Sequence, residues 1–187
     1  MTRSRHMTTL GILGVAVLAV SAAGAAETIT YTATTTVPGA SPRASTVMVT
    51  LSLDRFSTEE ERDALTRALV EGGQQGLLEA ARANRVGNLR RVGDLGVNVV
   101  FAKQVETPQG TRVAFVAERW VTFGELYTGS RSTKYPFVVG WFTLDENGKG
   151  DGALYAATEI SFDEATRTVE VENLGAEQMR LLNVRKR

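Results

Sequence analysis

Apolar and polar positions alternate with a period of two over most of this chain, the pattern of strands that bury one face. From Thr28 to Val37 the alternation is strict. Ile29, Tyr31, Ala33, Thr35 and Val37 share one face, and Thr28, Thr30, Thr32, Thr34 and Thr36 share the other. Such β-branched residues suit a pleated, half-buried surface. Pro38-Gly-Ala-Ser-Pro42 interrupts the pattern, and Thr46 to Leu53 resumes it with Val47, Val49, Leu51 and Leu53 inward. Further on, Val97, Val99 and Phe101 share a face and lead into Gln104-Val-Glu. Thr107-Pro-Gln-Gly110 turns, and Arg112 to Ala117 returns with Val113 and Phe115 inward. Near the end, Val169-Glu-Val-Glu172 follows a turn at Asp163–Arg167. Leu181 to Val184 forms a last short strand, with Arg185-Lys-Arg187 expected to trail into solvent.

The strongest pattern lies between Arg131 and Phe162. Phe137 to Leu144 is apolar on both faces: Phe137, Val139 and Trp141 on one, Val138, Phe142 and Leu144 on the other. This predicts a strand in mid-sheet, or one whose second face is covered. Gly140, beside Trp141, predicts a bulge, a bend or room for a neighbouring ring. Asn147-Gly148 predicts a hairpin turn. The return strand, Ala153 to Phe162, is expected to place Leu154, Ala156, Thr158, Ile160 and Phe162 on one face. A calcium loop is the rival reading of this turn, through Asp145, Asn147 and Asp151. Lys149 then falls where an oxygen ligand is needed, and Ala156 where the closing glutamate is needed, so the plain hairpin is preferred.

One stretch changes period. Ser57 with Glu60 forms a capping-box pattern, acidic residues fill the first turn, and Leu65, Ala68 and Leu69 follow at helical spacing. Gly72-Gly73 ends this helix, and Gln74 to Ala83 makes a second with Leu77, Leu78 and Ala81 inward. The fold expected is therefore mainly β (α+β). It is an antiparallel barrel-like meander, or a β-sandwich, of about eight or nine strands, with a helical hairpin over 57–84.

Composition changes this picture mainly at the N-terminus. Arg3 and Arg5 precede an unbroken small-apolar run from Leu10 to Val20, and Ser21-Ala-Ala-Gly-Ala-Ala26 offers small residues to a signal peptidase. Residues 1–26 are read as a signal peptide, with 27–187 as a single β-rich domain and no membrane span left after cleavage. Cleavage after Ala26 removes 26 of 187 residues and leaves 161. Loss of Arg3 and Arg5 takes 21 basic residues to 19 against 21 acidic ones, a net charge of −2. That balance gives no electrostatic ground for nucleic acid as a partner. A bacterial periplasmic or secreted protein is expected, held by its core without disulfides, since the sequence has no cysteine.

The only histidine is His6, inside the signal segment. The remaining chain has neither imidazole nor thiol. Ser-His-Asp and Cys-His catalysis, and nearly all zinc, copper and haem ligation, lose their usual groups. No metal or cofactor is expected, and the reading favours a protein that is not an enzyme. Carboxylate chemistry survives, with Glu118, Glu125 and Glu159 as candidates for hydrolysis of envelope glycans; solvated surface charge is the preferred reading of all three.

Arg119, Trp120, Glu125, Arg131 and Tyr135 concentrate in expected loop, and with Trp141 they form the candidate binding set. Arginine and aromatic side chains on loops anchor many interfaces. Equally, such aromatics plug barrel mouths, and Arg131 has Glu125 as a ready ion-pair partner. The function expected is an exported, non-catalytic binding protein for a small or lipidic ligand. The alternative is an interaction or structural protein of the cell envelope.

Four stretches carry a resemblance: Asp54-Arg-Phe-Ser-Thr-Glu-Glu-Glu-Arg62, Arg131-Ser-Thr-Lys-Tyr-Pro-Phe137, Asp145-x-Asn-Gly-Lys-Gly-Asp-Gly152 and Val171-Glu-Asn-Leu-Gly175. With these the chain resembles a group of small exported bacterial proteins that are functionally uncharacterised. In that group the position of Phe56 is more often Trp and that of Leu174 more often Tyr. The resemblance implies export and a bacterial source, and it carries over no activity, cofactor or site residue.

Overall fold

In the computed structural model the described residues are 28–36, 46–93, 95–119, 136–166, 168–173 and 178–187. Residues 1–27, which include the segment read as a signal peptide, and residues 120–135 lie outside them. Among the described residues nine strands and one helical element follow in chain order: β1 (Ile29–Thr36), β2 (Thr46–Leu53), α1 (Glu59–Ala83), β3 (Gly87–Arg91), β4 (Val97–Thr107), β5 (Gly110–Glu118), β6 (Phe137–Leu144), β7 (Lys149–Asp163), β8 (Thr168–Asn173) and β9 (Met179–Lys186).

All pairings are antiparallel. β1 to β7 form a meander, β7 then pairs with β9, and β9 pairs back on β1. Eight strands thus close a barrel, and β8 adds to β7 as a ninth outside the ring. The architecture is the expected barrel rather than the sandwich. Closure works because alternation supplies an apolar inner face on each strand. Tyr31, Leu51, Leu89, Val113, Phe115, Phe142, Leu154 and Val184 all point into one core. Eight strands leave an interior just wide enough for side chains. Here they fill it, with Tyr31 and Phe142 packed 4.9 Å between ring centroids and a residual void of only about 10 Å³. Thr35 is part of this lining, 1% exposed, with its hydroxyl unpartnered among the described residues.

Two bulges redirect side chains that strict alternation had placed differently. In β4 the register shifts between Val99 and Phe101. Val99 and Ala102 face the barrel interior, while Val100 joins the cluster under α1 and Phe101 lies beside it. In β7 the register against β6 shifts beyond Tyr155. Leu154 stays in the barrel core, but Ile160 and Phe162 belong to the cluster under α1. The single face expected for Leu154 to Phe162 is therefore split, because one extra residue reverses the facing of all that follow.

β6 behaves as expected. Val138, Phe142 and Leu144 face inward, and α1 covers Phe137 and Val139 on the outer face. α1 begins at Thr58 as N-cap, with the capping box completed by Glu61, one residue later than Ser57 and Glu60 predicted. Ser57 instead pairs with β4, its N–H donating to the Ala102 carbonyl and its hydroxyl accepting the Ala102 N–H. The expected helical hairpin is one element broken at Gly73, whose φ of 58° and ψ of −156° reverse the chain. A straight helix of 25 residues would span ~38 Å. Yet its two ends are tied to β4 only two residues apart, at Ala102 through Ser57 and at Val100 through the Asn84 amide. The arms accordingly lie so close that a Cβ at Gly76 would meet the Ala68 carbonyl oxygen at 2.5 Å.

β3 has no counterpart in the alternating pattern of the sequence. Its sequence, Gly-Asn-Leu-Arg-Arg, carries a single large apolar residue, Leu89, which is 1% exposed. Register with β2 and β4 defines the strand, not propensity. Arg185 and Lys186 lie in β9 rather than trailing free, and the Lys186 N–H donates to the Gly148 carbonyl.

Gly140 stands opposite Phe115 across the ladder, and a Cβ there would enter the Phe115 ring and reach 3.0 Å from Leu154 Cδ1. We expect Gly140→Ala to destabilise the protein by about 1–3 kcal/mol in denaturant unfolding, as overpacking of a filled core does. Thr35→Val, nearly isosteric, is expected to stabilise by about 1 kcal/mol, because it removes a buried hydroxyl with no partner.

Candidate functional site

Of the six residues expected to bind, only Arg119 and Trp141 fall among the described ones; Trp120, Glu125, Arg131 and Tyr135 lie outside them. Arg119 continues the β5–β6 ladder, its N–H donating to the Pro136 carbonyl at 2.8 Å. Trp141 does not enter the barrel or its mouth. Its neighbours Gly140 and Phe142 face inward, so its own side chain lies on the outer wall, half-buried. The Arg112 guanidinium sits 4.7 Å from the centre of its ring. A cation already occupies one face of the indole, and Ala153, directly opposite, is 3% exposed. This is a cover over the sheet more than an open platform.

Glu118 and Glu159 do not converge. Glu118 follows inward-facing Ala117 and so projects outward, where it accepts from the Asn98 amide. Glu159 precedes Ile160, which faces α1, and therefore projects from the opposite side of its sheet. Glu125 lies outside the described residues. In the hairpin turn, Asp145 Oδ1 accepts the N–H groups of Asn147 and Lys149, and Asp151 Oδ1 accepts the N–H of Asn183. These oxygens organise backbone, in keeping with the hairpin reading of the loop. Among the described residues no group of three or more acidic side chains is placed to hold a metal ion.

A concavity nobody would read from a motif lies instead between α1 and the outer wall of the barrel. Its volume is about 180 Å³. The first arm of α1 supplies Leu65, Thr66 and Leu69, with Arg62 at the end of the row, and the second arm supplies Leu77 and Ala81. The floor is Val100 and Phe101 from β4, Val116 from β5, Phe137 from β6 and Ile160 from β7, with Val169 from β8 at the side. Ten of these twelve are apolar. The bulges in β4 and β7 complete this floor, since they turn Phe101 and Ile160 outward beside Val100, which alternation already places there. Thr66 also lines a neighbouring groove, of about 500 Å³, with Val70, Phe162 and Glu164.

The polar groups at the rim are already engaged. Arg62 pairs with Glu59 and, at 2.8 Å, with Asp63, and the Thr66 hydroxyl donates to the Arg62 carbonyl at 2.9 Å. The roof is anchored at its first turn. Arg55 donates to both oxygens of Glu61 at 2.7 and 2.6 Å, and Glu61 also accepts the Thr58 N–H at 2.9 Å. At the far end of the fold-back, Gln74 accepts the N–H of Ile160 at 3.1 Å. These bonds hold α1 at a fixed height above the floor, although apolar contact falls short of filling the space between.

Comparison of the chain with protein-family models, with curated proteins and with solved structures finds no match.

The Arg55 guanidinium, followed by the Thr58 N–H, holds the Glu61 carboxyl below its ordinary pKa. A depressed carboxylate contributes stability that is present above the unfolded value, about 4.3, and lost as pH falls through the lower folded value. Glu61→Gln is thus expected to lower stability at neutral pH by about 0.2–1 kcal/mol, the range of a surface ion pair, with the deficit vanishing in acid. Urea unfolding of both proteins across the acid range checks this.

Proposed function

We propose that this is an exported binding protein that takes a small apolar or amphipathic molecule, such as a single ring or the end of an acyl chain, in the pocket beneath α1. The observation that carries the reading is a space of about 180 Å³ walled by ten apolar side chains and bordered at one rim by Arg62 and Thr66. An enclosed apolar cavity of ~150 Å³ admits benzene; this space is of similar size but open at its mouth, and its apolar walls favour an apolar guest. Whole drug-sized ligands need ~300 Å³ or more. The guest would bury one end, and the remainder would lie along the groove past Val70 and Phe162. The barrel interior, with about 10 Å³ free, is a core, so the ligand site belongs outside the ring of strands.

Because Arg62 is paired with Glu59 and Asp63, head-group charge contributes little to affinity. Chain length and shape would decide selectivity. Export, inferred from residues 1–26, would expose such a protein to envelope lipids and their fragments.

The test is fluorescence titration with N-phenyl-1-naphthylamine, followed by displacement with a series of saturated fatty acids. Wild type is expected to bind the dye with enhanced emission and to release it to medium-chain acids. Thr66→Trp, which places a large ring at the mouth, should weaken binding about tenfold or more, while Trp141→Ala, on the outer wall away from the pocket, should leave it intact. Equal dye binding by wild type and Thr66→Trp would overturn the assignment. Native mass spectrometry of protein taken from its own source would identify the resident ligand by the mass lost on denaturation.

A further inference from the structure

The outermost strand presents a second kind of surface. β8 pairs with β7 along one edge, and among the described residues nothing pairs along the other. One hydrogen bond fixes which of its backbone groups face that open edge. The N–H of Ile160 donates to Gln74, away from β8. Residues directly opposite in an antiparallel ladder either both point toward each other or both point away. Val171 stands opposite Ile160, so its N–H and C=O point away from β7, and by alternation so do those of Val169.

The side chains sort just as cleanly. Val169 and Val171 lie on the face of Phe162 and Ile160 and are 51% and 46% exposed. Glu170 and Glu172 lie on the other face, opposite Ser161 and Glu159. Between Glu159 and Glu172 the sequence holds five acidic residues and one basic residue, Arg167.

We propose that β8 is the docking edge for an extended segment of a partner protein whose residues alternate between apolar and basic. The segment would add as a further strand. Its backbone would bond to Val169 and Val171, its apolar side chains would pack on those two valines, and its basic side chains would stand beside Glu170 and Glu172. Charge selects this occupant over a second copy of the chain. β8 laid against β8 sets glutamate beside glutamate, which is destabilising. The proposal goes beyond the pocket reading and does not depend on it.

The test is fluorescence anisotropy with short labelled peptides of alternating valine and lysine or alternating valine and glutamate. Wild type is expected to bind the lysine peptide, more weakly as salt rises, and to bind the glutamate peptide poorly. Val171→Pro should cut lysine-peptide affinity about tenfold or more while leaving the melting temperature and dye binding in the pocket near wild type. The N–H it removes is not used in the β7 ladder. The double variant Glu170→Lys, Glu172→Lys should reverse the peptide preference, which keeps the proposal testable if Val171→Pro fails to fold. Equal binding of both peptides by wild type, or unchanged binding by folded Val171→Pro, would overturn it. So would a concentration-dependent dimer that Val171→Pro abolishes, since the edge would then belong to a second copy.

Discussion

The length of β7 is the constraint from which the rest of the architecture follows. With 15 residues it is nearly twice as long as β6 or β9, which have eight each. Its first half is an ordinary barrel strand with β6 on one edge and β9 on the other. Past Thr158 both neighbours end, while apolar Ile160 and Phe162 are still to come. A buried N–H without a partner costs about 1–3 kcal/mol, so each edge of the overhang needs an acceptor. β8 supplies one edge, and Gln74 supplies a side-chain carbonyl on the other. The fold-back of α1 at Gly73 carries Gln74 that far and then returns the chain to β4. Three leucines buried on the way, Leu69, Leu77 and Leu78, each contribute roughly 2 kcal/mol.

Much of this was legible in the sequence. Strict alternation marks β1 and β2, the doubly apolar run marks β6, and the glycine pair with its flanking leucines marks the fold-back. What was not legible depends on partners. The bulges in β4 and β7 have no local signature, because they arise where register to a neighbour slips by one residue. β3 holds its place by pairing on both edges, with little apolar content of its own. The cap moved from Ser57 to Thr58 because Ser57 was claimed by the free edge of β4.

The candidate site was less legible, for a related reason. Its residues come from α1 and five strands, and each alone reads as ordinary core. The available signal was the second apolar face of β6, which demanded a cover but did not say that the cover would fit loosely. Trp141 drew attention by its chemistry, yet parity within the strand puts it on the outer wall against Arg112. Composition bears on the site only by what it removes: past residue 6 the chain offers no imidazole or thiol to mark one.

The seam between β1 and β9 also governs how the molecule comes together. Thr32 meets Arg185 across 153 positions of sequence, whereas the meander from β3 to β7 is assembled from neighbours. Sequential hairpins can form as soon as their turns exist, but the seam waits for the final strand and carries the largest loop-closure entropy in the fold. Until it zips, the long threonine-faced edge of β1 and the edge of β7 stand open as templates for other chains. The eight residues of β9 therefore act as a latch whose arrival ends the period in which this protein is most prone to aggregate.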